Sequence, residues 1–540
     1  MFALRLTAAA ALPVRGIRKV RIERLLTISL WSAAIAFLGI VQGFLFLPHV
    51  NADALWPLTF VSDLVSGVTP FHWIIGPANG LFPDDAIVLV GKMLGADMGL
   101  NFVFYATVYY ILVFLSSTFF LLSCKAGVEV ACTASAATLI LSIFGKSELD
   151  GIAYTMSTPV HHAGVLPIAL LVFGLMVRET AGVLSSWSRV VAAGLVAAVV
   201  FSDIIAVVQI VLPVAALLLL FLLRHQLRAN LALFVGYVVT GALSGAVARA
   251  LVDKLPWVQH GTTGVSFARL GGGWVDFLYA LPSIAENNLG LVHAAVAAVG
   301  LILGPMAVVR DILKRKEWRA EVVGRSLLSL ATVAGITGPI AAGTFPGTGD
   351  AIIRYQIPGL ILSVLWVCWV AISGMMKSGR LIVTAVLVVG AFGALTQHVV
   401  RYGLDASEFL ADYKTQAQEL EGIGADLILA EYWDAKPLHV VSHLPICGAT
   451  SNGDVYAWAT NLGWCDSGFG VWRENRGILL IGGAQSSPVE IMNVYGPPTG
   501  RILVSHSQFL IYPWSEQLQE QVKRSICNAY VSFTVKPVDC

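Results

Sequence analysis

The stretch Met98–Ser123, MGLNFVFYATVYYILVFLSSTFFLLS, contains no aspartate, glutamate, lysine or arginine. About 20 apolar residues in a row are enough for a helix to cross the hydrocarbon core of a bilayer. Similar runs recur along the chain and predict about eleven transmembrane spans. Their approximate limits are 26–48, 98–123, 127–145, 161–178, 188–203, 204–223, 230–252, 290–310, 326–345, 355–376 and 380–399. The sequence therefore predicts an α-helical polytopic membrane protein.

The composition of the 540-residue chain agrees with that class. Hydrophobic residues make up 57% and charged residues 12%, and the mean hydropathy is +0.77. A soluble domain carries about twice that share of charge. The net charge of +1 gives no support to a nucleic-acid partner, so the informative property of the charges is their distribution along the chain.

Lysines and arginines cluster in alternate loops, and this pattern predicts the orientation. The clusters are Arg15, Arg18, Lys19, Arg21 and Arg24; Arg178 and Arg189; Arg224 and Arg228; Arg310, Lys314, Arg315, Lys316, Arg319 and Arg325; and Lys377 and Arg380. Because basic loops stay in the cytoplasm, the N-terminus is predicted to be cytoplasmic and the longer alternate loops to lie outside. We expect a multi-pass protein of the inner (cytoplasmic) membrane whose first span is retained rather than cleaved as a signal.

With an odd number of spans, the region after residue 400 also lies outside, and its composition is less apolar. We predict a membrane domain over 1–400 and a soluble C-terminal domain over 401–540, periplasmic or extracellular, with an α/β or α+β fold. Ala406–Glu421 has helical spacing, and short β-rich runs separated by Gly, Pro and Asn turns follow it. These runs are Leu438–Val441, Val455–Trp458, Gly477–Ile481, Glu490–Val494, Arg501–Val504, Phe509–Tyr512 and Tyr530–Val535.

The cysteines divide between the two predicted domains. Those in or beside spans, where small apolar packing is the default role, are Cys124, Cys132 and Cys368. Those in the tail are Cys447, Cys465, Cys527 and Cys540. Four cysteines in an extracytoplasmic domain predict two disulfides. The sequence alone leaves the connectivity open, and we predict pairing between neighbours, 447 with 465 and 527 with 540.

The first outward loop, about residues 49–97, carries the candidate catalytic carboxylates. Asp53 lies near the start of Ala52–Val65, which is predicted to be an amphipathic helix at the membrane interface. Asp84 and Asp85 open a second predicted helical segment after Pro83. A carboxylate beside an apolar wall can act as a general base. Helix capping is the structural alternative for each of these aspartates.

A late outward loop carries the basic partner, in the run Asp350-Ala-Ile-Ile-Arg354-Tyr355-Gln-Ile-Pro358. A permanently charged guanidinium is costly near a bilayer and seldom lacks an anionic partner there. Its planar fork suits a phosphate, although snorkelling to lipid headgroups is the alternative. Further candidates on the same face are His161 and His162 for phosphate binding, and Asp203 and His72.

With these features, the chain resembles the GT-C superfamily of membrane glycosyltransferases, which use polyprenyl-phosphate-linked sugars. The resemblance covers the layout of the whole chain: an acidic first outer loop, an Arg354-Tyr355 pair followed by Pro358, and a soluble C-terminal domain. The tail run Ala430-Glu-Tyr-Trp-Asp-Ala-Lys436 is similar to a segment of bacterial members. The resemblance implies that Asp53 is the catalytic base or a metal ligand.

The same resemblance implies that Arg354 binds the donor phosphate. Some members carry adjacent acidic residues early in the first loop, whereas Asp84 and Asp85 come well after Asp53 here. The base assignment therefore stays open among the three aspartates. A divalent cation (Mg²⁺, Mn²⁺ or Ca²⁺) could bind among the acidic residues of this face, but no ligand spacing requires one.

The implied reaction moves a hexosyl or pentosyl group from a polyprenyl-phosphate donor to an envelope glycan or glycolipid acceptor, as in polysaccharide or lipopolysaccharide biosynthesis. A single catalytic carboxylate fits inversion at the anomeric carbon. The main alternative is a transporter or flippase for a lipid-linked saccharide. That class often has repeated halves, and no repeat is visible here. A membrane acyltransferase built around His161 or His162, and a structural or sensor protein, are the remaining alternatives.

Overall fold

A computed structural model of the protein describes most of the chain. The residues it describes are 14–67, 73, 80–143, 152–159, 162, 164–182, 184–224, 229–254, 268–284, 290–314, 319–341, 355–402, 409–442, 444–456 and 461–531. Predictions that concern His72, His161, Arg354 and Cys540 lie outside these residues.

The described part of the first 400 residues is mainly helical. The helices are α1 (Val14–Phe46), α2 (Ala52–Val65), α3 (Ala86–Met93), α4 (Met98–Ser123), α5 (Val128–Ile143), α6 (Ile152–Ser157), α7 (Val165–Thr180), α8 (Ser186–Ser202), α9 (Leu212–Leu223), α10 (Ala229–Val252), α11 (Ala268–Ile284), α12 (Leu291–Leu313), α13 (Ala320–Ala341), α14 (Ile357–Gly374) and α15 (Lys377–Tyr402). Within the described ranges, six helices are long and apolar enough to cross a membrane, in α1, α4, α10, α12, α13 and α14. The predicted polytopic helical class is confirmed, and the count of about eleven spans stays a prediction.

Small residues let neighbouring membrane helices approach closely. A Cβ atom added at Gly241 of α10 would lie 2.3 Å from the backbone oxygen of Ala193 in α8. One turn further along, a Cβ atom at Gly245 would lie 2.4 Å from the Ala197 oxygen. Glycine is therefore required where these two helices cross, which is the usual device for helix association inside a bilayer.

The tail contains a five-stranded sheet with helices on both faces. Its elements are α16 (Ala411–Ile423), β1 (Ala425–Glu431), α17 (Tyr432–Val441), β2 (Ile446–Ala449), α18 (Leu462–Asn475), β3 (Ile478–Gly483), α19 (Pro488–Tyr495), β4 (Gly500–Val504), β5 (Ser507–Pro513) and α20 (Glu516–Val531). The strand order is β2-β1-β3-β5-β4. β1 pairs in parallel with β2 and β3, whereas β5 pairs antiparallel with β3 and β4.

Side chains of β1 alternate between two cores. Leu427 and Leu429 join the core on the side of α18, α19 and α20. Ile428 and Ala430 join the core on the side of α16 and α17. Because both faces are covered, β1 is a continuous apolar run rather than an alternating one. This explains why β1 is missing from the strands predicted from sequence.

The strand predictions are correct for three runs, which overlap β3, β4 and β5. They are wrong for Leu438–Val441 and Glu490–Val494, which lie in α17 and α19. A short apolar run has no periodicity that separates strand from helix. For α19 the helix signal is Ser487, whose side chain caps the helix, followed by Pro488 in its first turn.

A disulfide joins β2 to α18. Cys447 and Cys465 are bonded, with their Cα atoms 4.6 Å apart, which confirms the first predicted pair. Cys527 is also disulfide-bonded. The membrane-domain cysteines are free and buried.

The first loop packs directly against the C-terminal domain. Helix α17 lies against α2. Asp63 of α2 accepts hydrogen bonds from Asn461 Nδ2 (2.8 Å) and Trp73 Nε1 (3.0 Å), and the rings of Trp73 and Trp464 meet edge to face at 5.4 Å. The described part of the first loop is therefore held between the membrane helices and the tail.

Candidate functional site

Asp53 is not the cap of its helix. Asn51 caps α2, because its Oδ1 accepts a hydrogen bond from the Ala54 backbone N–H at 2.9 Å. The Asp53 side chain instead meets the C-terminal domain, where the Tyr432 hydroxyl donates to Asp53 Oδ1 at 2.8 Å. Asp53 is only partly buried. Asn51, rather than Asp53, therefore supplies the cap that was the structural alternative for this aspartate.

The tail places further polar groups around Asp53. Lys436 is 2% exposed, and its ammonium lies 5.1 Å from the centroid of the Tyr432 ring. Burial lowers the pKa of Lys436 to about 7, while the charge of Asp53 acts in the opposite direction. Burial also raises the pKa of Glu431, at the start of α17, to about 7. A buried, titratable cation beside a carboxylate is typical of functional sites.

Asp84 and Asp85 occupy a different setting. They end the irregular turn Leu81–Asp85, which leads directly into α3. Asp84 is 5% exposed and its Oδ1 accepts a 2.6 Å hydrogen bond from the Tyr105 hydroxyl of α4. Burial raises the pKa of Asp84 to about 7. This carboxyl is enclosed by membrane helices rather than by the tail.

Asp85 is equally buried, and neither carboxyl oxygen has a hydrogen-bond partner among the described residues. Burial, with the charge of Asp84 as a second cause, raises the pKa of Asp85 well above its usual range. A buried carboxyl without a partner is costly in its charged form. The surroundings of Asp85 therefore favour its neutral form.

His162 and Asp203 meet next to Asp84. His162 Nδ1 and Asp203 Oδ2 are hydrogen-bonded, and Asp203 Oδ1 accepts from the Ile205 backbone N–H at 3.0 Å. The His162 ring lies 4.4 Å from the ring of Tyr355, just before α14. Asp203 therefore both caps a turn and orients a histidine, and its part in a functional site stays a prediction.

A small cavity of about 50 Å³ lies between these side chains. Its lining includes Trp56, Phe82, Asp84, His162, Ser202 and Asp203. Trp56 lies one helical turn after Asp53 in α2. This helix therefore connects the surroundings of Asp53 with the cavity beside Asp84. The cavity has room for a few water molecules but not for a sugar. Asp84, His162 and Asp203 are thus brought together, while Asp53 lies in the neighbouring setting against the tail.

The described side chains do not form an evident metal site. Within the described ranges, no group of three or more His, Cys, Asp or Glu residues is arranged to hold a metal ion. Asp84, His162 and Asp203 therefore do not make a ligand set with one another. The divalent cation stays a prediction.

Three functional candidates were missed from sequence: Tyr105, Tyr432 and Lys436. Tyr432 and Lys436 lie in the tail run that carries the family resemblance, yet nothing in the run itself indicates a contact with Asp53. Tyr105 lies inside an apolar span in which tyrosine is unremarkable. Only the packing of α4 and α17 against the first loop reveals these roles.

Comparison with known proteins gives a structural match. No protein-family model matches the chain, and no curated protein sequence does. Among solved structures, the chain is similar to ArnT from Cupriavidus metallidurans, both in the apo state and bound to undecaprenyl phosphate. In each case the TM-score is 0.52 and the sequence identity 12%, over 89% of this chain and 98% of ArnT. The likeness shows that the chain shares the overall fold of ArnT.

Proposed function

We propose that the protein is a membrane glycosyltransferase that moves a sugar from a polyprenyl-phosphate donor to an acceptor on the outer face of the inner membrane. The observation that carries the proposal is the position of Asp53. This carboxylate is relieved of capping by Asn51 and held by Tyr432 of the C-terminal domain. The shared fold with ArnT, which has been solved with undecaprenyl phosphate bound, supports the lipid-phosphate donor.

In the proposed reaction Asp53 is the general base. Its carboxylate takes the proton of the acceptor hydroxyl as the acceptor oxygen bonds to the anomeric carbon. The bond from that carbon to the phosphate oxygen breaks, and its electron pair leaves with the polyprenyl phosphate. One displacement inverts the anomeric configuration. The departing phosphate needs cationic stabilisation, for which Arg354, His161 and His162 remain our candidates.

Geometry favours Asp53 over Asp84 and Asp85 as the base. Asp84 is 5% exposed and borders a cavity of about 50 Å³, which is too small for an acceptor sugar. Asp85 has no described hydrogen-bond partner and is 5% exposed. Asp53 is the partly buried member of the three. We assign Asp84 and Asp85 to shaping the turn beside His162 rather than to proton transfer.

The first test is release of free polyprenyl phosphate by the purified full-length protein from a panel of polyprenyl-phosphate sugars. We expect turnover with one donor, abolished by Asp53→Asn. Turnover that survives Asp53→Asn but is lost in Asp84→Asn would move the base to Asp84. If no donor binds or turns over while the protein carries lipid-linked saccharide across vesicles, the transport alternative is correct.

The remaining parts of the proposal concern the acceptor and the cation. We propose an envelope glycan or glycolipid acceptor, bound between the first loop and the tail, because the Asp53–Tyr432 contact lies between these two regions. A divalent cation requirement is tested by adding EDTA to the same assay and restoring Mg²⁺, Mn²⁺ or Ca²⁺ separately. Loss and recovery of turnover would support a cation, and unchanged turnover would exclude the requirement.

A further inference from the structure

An exposed aromatic side chain of the C-terminal domain lies beside the proposed base. Tyr456 is 36% exposed. Its ring is perpendicular to that of Tyr432, with the two centroids 5.7 Å apart, and the Tyr432 hydroxyl is bonded to Asp53. Burial, with the charge of Asp53 as a second cause, raises the pKa of Tyr456. Tyr456 is therefore within electrostatic reach of the carboxylate and is still open to solvent.

The backbone at Tyr456 is fixed to the end of β2. The Tyr456 N–H donates to the Gly448 oxygen at 2.8 Å, and Val455 pairs with Ala449, the last residue of β2. The Val455 N–H donates to the Ser525 hydroxyl at 2.7 Å. The Tyr456 ring is thus presented from an ordered backbone, which reduces the conformational entropy lost when a ligand binds to it.

A further aromatic side chain extends this surface. Trp433 follows Tyr432 in α17, and their ring centroids are 5.1 Å apart at an interplanar angle of 74°. Trp433 is only partly buried, and its backbone N–H donates to Glu431 Oε2 at 3.2 Å. We call Tyr432, Trp433 and Tyr456 the aromatic cluster. It presents ring surface to solvent next to the carboxylate of Asp53.

Aromatic rings beside a carboxylate suit a sugar better than a hydrocarbon chain. One face of a sugar ring is formed by C–H groups, which pack against an aromatic ring, while its hydroxyls need polar partners. Tyrosine and tryptophan supply both, because each has a wide apolar ring and a polar tip. A hydrocarbon chain would instead place apolar groups against the charged Asp53, at a cost in desolvation. The aromatic cluster therefore favours a saccharide.

We propose that the aromatic cluster binds the acceptor as a saccharide, with the Tyr456 ring packed against the C–H face of the sugar whose hydroxyl Asp53 deprotonates. This inference rests on the proposed function and names a sugar ring as the accepting group. Tyr456 is then a specificity-determining residue. An epimer that places a hydroxyl on the packed face loses contact with the ring.

The test is saturation-transfer NMR of the full-length protein in lipid nanodiscs, with irradiation of the aromatic protons of the protein. The probes are methyl glycosides of several hexoses and pentoses. Sorbitol, which carries hydroxyls but no ring, is the control compound. We expect at least one methyl glycoside to bind the wild type through its C–H face and sorbitol not to bind. This measurement needs no turnover, so it is independent of the proposed reaction.

Variants separate the ring of Tyr456 from its hydroxyl. Tyr456→Leu removes the ring and should weaken glycoside binding about 10-fold, whereas Tyr456→Phe keeps the ring and should bind nearly as the wild type does. The matched control, Leu503→Ala, removes a 72% exposed apolar side chain from β4, at the opposite edge of the sheet from β2. It should leave binding unchanged.

Three results would overturn the proposal. The first is that no methyl glycoside binds the wild type. The second is wild-type binding in Tyr456→Leu, which would mean that the ring makes no contact with the sugar. The third is sorbitol binding as tightly as the glycosides, because a ring face would then contribute nothing.

The polyprenyl phosphate release assay distinguishes the acceptor sugar from the donor sugar. Tyr456→Leu should leave the KM for the donor unchanged, because the ring contacts the acceptor. A raised KM for the donor would overturn the assignment to the acceptor and give the ring to the donor sugar. Glycoside binding through Tyr456 in a protein that turns over no donor would instead contradict the proposed reaction, while the saccharide site would stand.

Discussion

The carboxylates of the first loop lie in two contrasting environments. Asp53 is partly buried, and a tyrosine of the C-terminal domain holds it. Asp84 and Asp85 are enclosed by membrane helices, and burial raises the pKa of both. Residues of the same type, close in sequence, are thus prepared for different tasks. The rest of the fold gives these carboxyls different environments, and on that basis we propose that Asp53 alone acts as the base.

The largest expected effect separates two aspartates of the same helix. Asp53→Asn should lower the turnover of the proposed transferase by about 10²- to 10⁴-fold, the usual contribution of a general base. Asp63→Asn is the matched control, since Asp63 also contacts the C-terminal domain but accepts bonds from Trp73 and Asn461. Rates of polyprenyl phosphate release measure both. Equal losses in the two variants would mean that Asp53 is only a structural contact.

The next largest effect concerns the hydrogen bond from the C-terminal domain to Asp53. Tyr432→Phe keeps the ring and removes the hydroxyl that donates to Asp53. Because a hydrogen bond to a charged group contributes about 1.5–3 kcal/mol, we expect kcat to fall about 10- to 100-fold with little change in KM. Tyr512→Phe, which removes a hydroxyl bonded to the Gly496 oxygen, should leave both constants unchanged. A rise in KM alone would instead assign Tyr432 to substrate binding.

Burial of these carboxyls should make the free energy of unfolding depend on pH. The pKa of Asp84 is about 7 in the folded protein against an ordinary value of 3.8. The folded state therefore binds more protons between those values, and stability falls as pH rises from about 4 to 7. We expect Asp84→Asn to flatten this slope and to raise the midpoint of thermal unfolding at pH 8.

Thermal unfolding of the purified protein at pH 5 and pH 8 measures the slope. The exposed Asp412 of α16 provides the control, since Asp412→Asn should leave it as in the wild type. The charge of Asp203 and the hydrogen bond from Tyr105 also affect the pKa of Asp84. An unchanged slope in Asp84→Asn would mean that its carboxyl is charged in the folded protein.

The smallest effect tests the contact between the first loop and the tail away from Asp53. Asn461→Ala removes the 2.8 Å hydrogen bond to Asp63 and the cap on Gly463. We expect a lower midpoint of thermal unfolding with turnover preserved, because loss of a cap costs about 1 kcal/mol. Asn475→Ala, which removes an exposed bond to Asp426, should lower the midpoint less. Loss of turnover in Asn461→Ala would show that the whole contact, not Tyr432 alone, positions the base.

Sequence predictions were correct where the signal lies within one segment of the chain. The transmembrane class and α2, with its bounds at Ala52 and Val65, depend on apolar runs and helical spacing within one segment. Strand predictions failed where burial on both faces removed the alternation, as in β1. The catalytic role of Asp53 is implied by the family resemblance and stays a prediction, and no sequence pattern indicated its contact with Tyr432.

The sequence by itself determined the membrane class and the helical architecture, because hydrophobicity acts between residues close along the chain. The tertiary structure decided which carboxylates share a site. Tyr432 lies 379 residues after Asp53, and Asp203 lies 41 residues after His162. No local pattern encodes such pairs, because they form only when separate helices pack. The same packing excludes water from some of these aspartates, whereas in water all of them would have similar pKa values.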